Sequence, residues 1–91
     1  MTALHLADFP AGTVYTVSVG DQAYPFALDN AQPLSDSGRE GGSFRLEFLG
    51  PGEPVLPQAT YSFSSAAAGH EIFIVPVSRE PGGVRYEAVF Y

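Results

Sequence analysis

Few residues in this chain are of a type that does chemistry, and their spacing decides what each is worth. His5 and His70 are the two imidazoles; with nearby carboxylates such a pair could share a divalent metal. They sit in unrelated segments, without the spacing that puts two ligands on one face, and read as surface or edge residues. Ser64 or Ser65, His70 and one of the four Asp could be assembled into a nucleophilic triad. No Gly-x-Ser-x-Gly turn holds either serine, so catalysis has no support. Asp29, Asn30, Asp36, Ser37 and Glu40 make an oxygen-rich stretch that could ligate Ca²⁺. It lacks the twelve-residue alternation of an EF-hand, and a solvated acidic loop explains it equally well. Gly38-Arg39-Glu40-Gly41-Gly42 and Gly50-Pro51-Gly52 lack the Lys-Ser/Thr of a phosphate loop and read as turns.

The aromatic residues carry more information. Seven Phe and five Tyr must largely fill the centre of a chain of 91 residues, because few other large groups are available. Tyr24, Tyr86 and Tyr91 are too many to bury together, and exposed tyrosines on a sheet favour protein contact or carbohydrate stacking. Phe73 lies in Glu71–Val77, whose apolar, β-rich composition favours pairing with another chain. Pro76, Glu71, Arg79 and Glu80 restrain that tendency. Tyr24, Tyr86, Tyr91 and Phe73 are therefore the candidate interface residues.

These side chains must be positioned by strands. His70–Val77 is a nearly continuous apolar run and predicts a strand buried on both faces. Val84–Tyr91 alternates, with Val84, Tyr86, Ala88 and Phe90 inward and Arg85 and Glu87 outward. Ser78–Gly83 joins them. Earlier, Thr13–Val19 has period two through Tyr15, Val17 and Val19, and Gly20-Asp21-Gln22 predicts a hairpin to a strand carrying Tyr24, Phe26 and Leu28. Pro25 places that strand at an edge or bulge. Asn30–Gly42 reads as the longest surface loop. Ser43–Leu49 points Phe44, Leu46 and Phe48 inward, and Thr60–Ser64 carries Tyr61 and Phe63. Between these two strands Gly50–Gln58 holds three prolines, and Ala66–Gly69 allows one helical turn. Leu4, Leu6 and Phe9 open the chain in a short turn or edge piece.

Six short strands with Pro- and Gly-rich connections predict an all-β fold, a small antiparallel β-sandwich or barrel, in a single domain over residues 1–91. Arg45-x-Glu47 and Arg85-x-Glu87 predict antiparallel neighbours that set Arg45 against Glu87 and Glu47 against Arg85.

Charge narrows the partners. Ten carboxylates against four Arg and no Lys give a formal net charge of −6. That disfavours nucleic acid, whose phosphates are bound by clustered cations, and an anionic membrane surface. With no Cys there is no disulfide framework and no thiolate metal site. Met1–Phe9 shows neither a basic region nor a sustained apolar one, so synthesis in the cytoplasm without a signal peptide is expected, with later export or incorporation into a particle left open.

From Phe44 onward the chain resembles a small bacterial domain family of unknown function. The likeness is carried by Phe44-Arg45-Leu46-Glu47-Phe48-Leu49-Gly50-Pro51, Leu56-Pro57-Gln58-Ala59-Thr60-Tyr61, Gly69, Ile72-Phe73-Ile74-Val75-Pro76-Val77 and the closing Tyr86-Glu87-Ala88-Val89-Phe90. It extends weakly to Asp8-Phe9 and Gly12. Ala59 stands where the family more often has Gly, and Tyr91 where it more often has Asn. Genes of the family tend to lie beside those of phage-tail-collar proteins of the microcystin-dependent type. The resemblance implies a phage-tail-derived or surface-fibre assembly, and it brings no site residues with it.

The reading that unites these observations is a non-enzymatic protein-contact domain. It would be an accessory or repeating subunit whose partner is a phage-tail-collar-like protein or a second copy, with no cofactor. A small-ligand or glycan-binding β-domain using exposed Tyr and the acidic loop is the alternative, and an enzyme ranks last for want of a converging acid, base or nucleophile.

Overall fold

The computed structural model describes residues 5–34, 42–66 and 69–90. Six strands follow one 3-10 turn, η1 (Leu6–Asp8): β1 (Val14–Val19), β2 (Gln22–Pro33), β3 (Phe44–Gly50), β4 (Ala59–Ser64), β5 (Gly69–Glu80) and β6 (Gly83–Phe90). Every pairing is antiparallel, and the order β1-β2-β3-β6-β5-β4 closes on itself as a barrel. Of the two architectures expected from the sequence, the barrel is the one formed.

The reason lies in β2 and β5, each twelve residues long. The first half of β2 pairs with β1 up to Ala27, and its second half pairs with β3 from Ala27 onward. Likewise β5 pairs with β4 as far as Ile74 and with β6 from Val75. Each long strand carries a register shift, at Leu28/Asn30 in β2 and Pro76/Ser78 in β5. A bulge adds a residue on one side of a ladder and bends the strand. Both strands therefore act as corners that pass from one wall to the next, the geometry that joins two sheets into a barrel.

The inward faces follow the alternation in the sequence. Val17, Phe26, Leu46, Phe48, Phe63, Ile74 and Tyr86 are fully buried. Rings meet at interior distances: Phe26 lies 4.7 Å from Tyr86, and Phe48 lies 4.8 Å from Phe63. Burying each large apolar side chain stabilises the fold by about 1.5–3 kcal/mol. The opening segment, expected as a turn or edge piece, delivers Phe9 to the core, 5.8 Å from both Phe44 and Phe90. Leu56, within the proline-rich excursion, is also buried, and its backbone N–H donates to the Tyr86 hydroxyl at 2.8 Å.

Several sequence expectations change. β2 continues through Asn30–Pro33, paired to β3, so the expected 30–42 loop begins later; residues 35–41 lie outside the described residues. Likewise β5 and β6 extend until Pro81-Gly82 alone connects them. Gly69, assigned to a helical turn with Ala66, begins β5, and Ala67 and Ala68 lie outside the described residues. Pro25 does sit where expected in a local sense, beyond the end of the β2–β3 ladder at Ala27↔Leu49.

β3 and β6 are antiparallel neighbours as predicted, but the register is offset by two residues. Arg45 faces Val89, Glu47 faces Glu87 and Leu49 faces Arg85. Backbone and core contacts at the two ends of the ladder account for the offset. At one end Phe44 stacks on Phe90, with centroids 4.6 Å apart. At the other, Gly83 (φ +143) lies so near Gly50 that a Cβ there would sit 2.0 Å from the Gly50 carbonyl oxygen. These contacts outweigh exposed ion pairs, each worth about 0.2–1 kcal/mol.

Candidate functional site

A single wall of strands lies between the barrel core and solvent, so alternate residues of β5 and β6 must face outward. In β5 the inward Ile72 and Ile74 are buried, whereas Phe73 is 52% exposed and Val75 half-buried. The two-face burial expected of this strand is thus corrected, because no second layer among the described residues covers its outer side. Val89 of β6 is 50% exposed. Phe73 and Val89 each lie two residues, one step along the outer face, past Val75↔Glu87, the last pair of the β5–β6 ladder. They flank the corner where β5 leaves β6 for β4. Val77, at the β5 bulge on the other side of Val75, is exposed as well.

Beside this apolar strip runs a charged one. Arg45 reaches Glu87 at 3.5 Å and Glu47 at 3.8 Å, and donates to the Gln32 side-chain oxygen at 2.7 Å. Arg85 reaches Asp29 at 2.9 Å and Glu47 at 3.7 Å, and holds Glu80 through two side-chain hydrogen bonds. The offset register thus still joins the predicted ion pairs, diagonally. It puts Glu47 opposite Glu87, where the two arginines offset the like-charge contact. The hydrogen bonds that Arg85 donates to Glu80 and Asp29 hold its guanidinium pKa above the ordinary value. The same bond from Arg85 lowers the Glu80 carboxyl below its ordinary value. A guanidinium with this many acceptors acts as a clamp between β2, β3, β5 and β6.

The other candidate residues part company. Tyr86 is fully buried with its hydroxyl turned to Leu56, so its assignment to an exposed surface is corrected: it is a core residue with a satisfied polar end. Tyr24 is half-buried against the core, and Tyr91 lies outside the described residues. Tyr61 donates to the Pro57 carbonyl at 2.7 Å, and burial raises its phenol above the ordinary value. His70 packs its ring 4.8 Å from that of Phe9, while the His5 backbone N–H donates to Asp8. The Ser64 hydroxyl donates to the Thr16 carbonyl. Asp29 and Asn30 turn to Arg85 and Glu47, while Asp36, Ser37 and Glu40 lie outside the described residues. Among the described residues, no group of three or more His, Asp and Glu is arranged to hold a metal. No helix among them is long and apolar enough to cross a membrane.

Sequence reasoning identified Phe73 and missed Val75, Val77 and Val89 as surface residues. For Val89 the signal was present, since the alternation that sends Arg85 and Glu87 outward sends Val89 with them.

At the opposite corner, where β2 leaves β3, an apolar groove of about 300 Å³ is lined by Val14, Pro25, Ala27, Leu49, Pro51 and neighbouring glycines. Among the described residues its lining holds no aromatic and no charged side chain.

The model of the family described as Domain of unknown function (DUF6916) matches residues 4–90, nearly the whole chain, and the chain belongs to that family. No curated protein and no solved structure matches it.

Proposed function

We propose that this member of the DUF6916 family is a non-enzymatic protein-contact domain whose working surface is the outer wall at the β5–β6 corner. Placing the domain in a phage-tail-like or surface-fibre assembly, as an accessory or repeating subunit, belongs to the same proposal and is supported by the family resemblance. The observation that carries it is the contrast across one strand: Ile72 and Ile74 close a filled interior while Phe73 between them stands half in water. Exposed large apolar groups cost solubility, and a contiguous set of them marks an interaction surface. Aromatic anchors of this kind supply most of the energy of protein interfaces.

Calorimetric titration with the phage-tail-collar-type protein encoded beside such a domain is the direct test. Complex formation is expected, with loss of at least about tenfold in affinity for Phe73→Ser, the size of effect found for interface anchors. Absence of a complex, together with thermal stabilisation by Ca²⁺ or a glycan, would instead support the ligand-binding reading.

A further inference from the structure

The β5–β6 ladder ends at Val75↔Glu87, where β5 turns toward β4 while β6 continues along β3. In an antiparallel ladder successive residues turn their backbone N–H and C=O groups to opposite neighbours. Pro76 pairs with Tyr86 and has no N–H to give, so Val75 is the residue that bonds β6. The β4–β5 register runs from Gly69 to Ile74 without a shift. Ile72 and Ile74 therefore turn their backbone groups to β4, and Glu71 and Phe73 turn theirs to the side that β6 has left. By the same count Val89 of β6 turns away from β3. No turn, loop or cap hydrogen bond among the described residues takes up the backbone of Glu71, Phe73 or Val89, and all three residues are exposed. From inside, Phe9 seals the parting, its ring 4.8 Å from that of His70 in β5 and 5.8 Å from that of Phe90 in β6. The corner thus offers a strand edge over a filled core.

A backbone edge specifies its occupant more narrowly than an apolar face does, because N–H and C=O groups at a two-residue repeat are matched by another extended backbone. We infer that the open edge of β5 takes up an extended segment of a protein partner as an added strand, bonded to the N–H and C=O groups of Glu71 and Phe73. The inference rests on the protein-contact reading and adds the mode of binding to it. It requires of the partner a stretch without proline at the positions that face the edge. Side chains of that stretch lie beside Phe73 as a cross-strand neighbour would. A second copy is the poorer occupant. It brings another net charge of −6, and like charges brought together across an interface are disfavoured.

The test uses the isotope-labelled chain. Free in solution, the amides of Glu71 and Phe73 should exchange at least about tenfold faster than those of Ile72 and Ile74, which β4 holds. The probe is a short synthetic peptide alternating valine and threonine, N-methylated at every second residue so that one edge keeps its N–H groups. The control is the same peptide N-methylated throughout. The probe is expected to slow exchange at Glu71 and Phe73, to shift their resonances, and to bind at least about tenfold tighter than the control, which has lost the donors. Glu71→Pro removes one open donor and no bond to β4, and should weaken the probe about two- to tenfold. Slow exchange of Glu71 and Phe73 in the free chain, equal binding of the two peptides, binding of neither, or shifts confined to the Pro25–Leu49 groove would overturn the inference. The contact reading is decided separately by the collar-protein titration: a complex that leaves the amides of Glu71 and Phe73 in fast exchange would keep the contact and overturn the added strand. Self-association of the unmixed chain that Glu71→Pro removes would seat a second copy at this edge and overturn the choice of a different partner.

Discussion

β2 and β5 are one backbone device used twice, and their outer surfaces differ. Each has twelve residues and one bulge, and each leaves one neighbour to join another. At the β2 corner the outer face forms a groove of aliphatic side chains, with Val14 59% exposed on it and Pro25 beyond the end of the β2–β3 ladder. At the β5 corner Phe73 and Val89 project instead, with Glu71 beside them. What distinguishes the β5 corner is an exposed aromatic ring, where the β2 corner carries only aliphatic side chains around its groove.

Substitutions on the two sides of the wall should separate these roles. The largest effect is expected from Tyr86→Ala, which empties the core behind the β5 corner and strands the Leu56 N–H; a loss of about 3–5 kcal/mol should appear in denaturant unfolding. Gly50→Ala probes the β2 corner. A Cβ there meets the Phe26 ring at 2.8 Å, so overpacking should cost about 1–3 kcal/mol in the same measurement.

A smaller, pH-dependent effect is expected at Glu80. Its carboxyl titrates lower in the folded chain than in the unfolded one because Arg85 donates to it. The stabilisation is therefore complete above the unfolded value, near pH 4.3, and disappears as pH falls through the lowered folded value. Stability curves of the parent and Glu80→Gln should accordingly differ at neutral pH and converge in acid. Smallest of all is Phe73→Ser, for which a change in stability below about 1 kcal/mol is expected. A loss as large as that of Tyr86→Ala would show that the β5 corner is structural on both faces, and the contrast would fail.

How far the fold was legible follows from which contacts are local. Alternation located Tyr15, Val17, Phe26, Phe48 and Tyr86 on inward faces, because period two is a property of the strand itself. The sheet partners of β3 and β6 were also readable, from their repeated Arg-x-Glu. Their register was not, since Gly50 against Gly83 and Phe44 on Phe90 are contacts between distant residues that outweigh exposed charge. The apolar run Ile72–Val77 misled for a related reason. A strand with solvent on one side and a strand with helices on both can share the same composition, and the number of layers is decided elsewhere in the chain. Tyr86 was named as an interface candidate although the same alternation puts it inward; what local sequence does not reveal is the distant Leu56 N–H that donates to its buried hydroxyl. The exposure of Phe73 fits its place among the interface candidates, and that of Val89 required the alternation to be followed one residue further.

Hydrogen–deuterium exchange of the domain, free and mixed with the collar-type protein, tests the contact surface most directly. New protection should appear in residues 71–77 and 87–90 and leave residues 23–27 and 49–51 unchanged. Protection at the β2 corner with none at β5, or an exchange pattern that mixing does not alter, would contradict it.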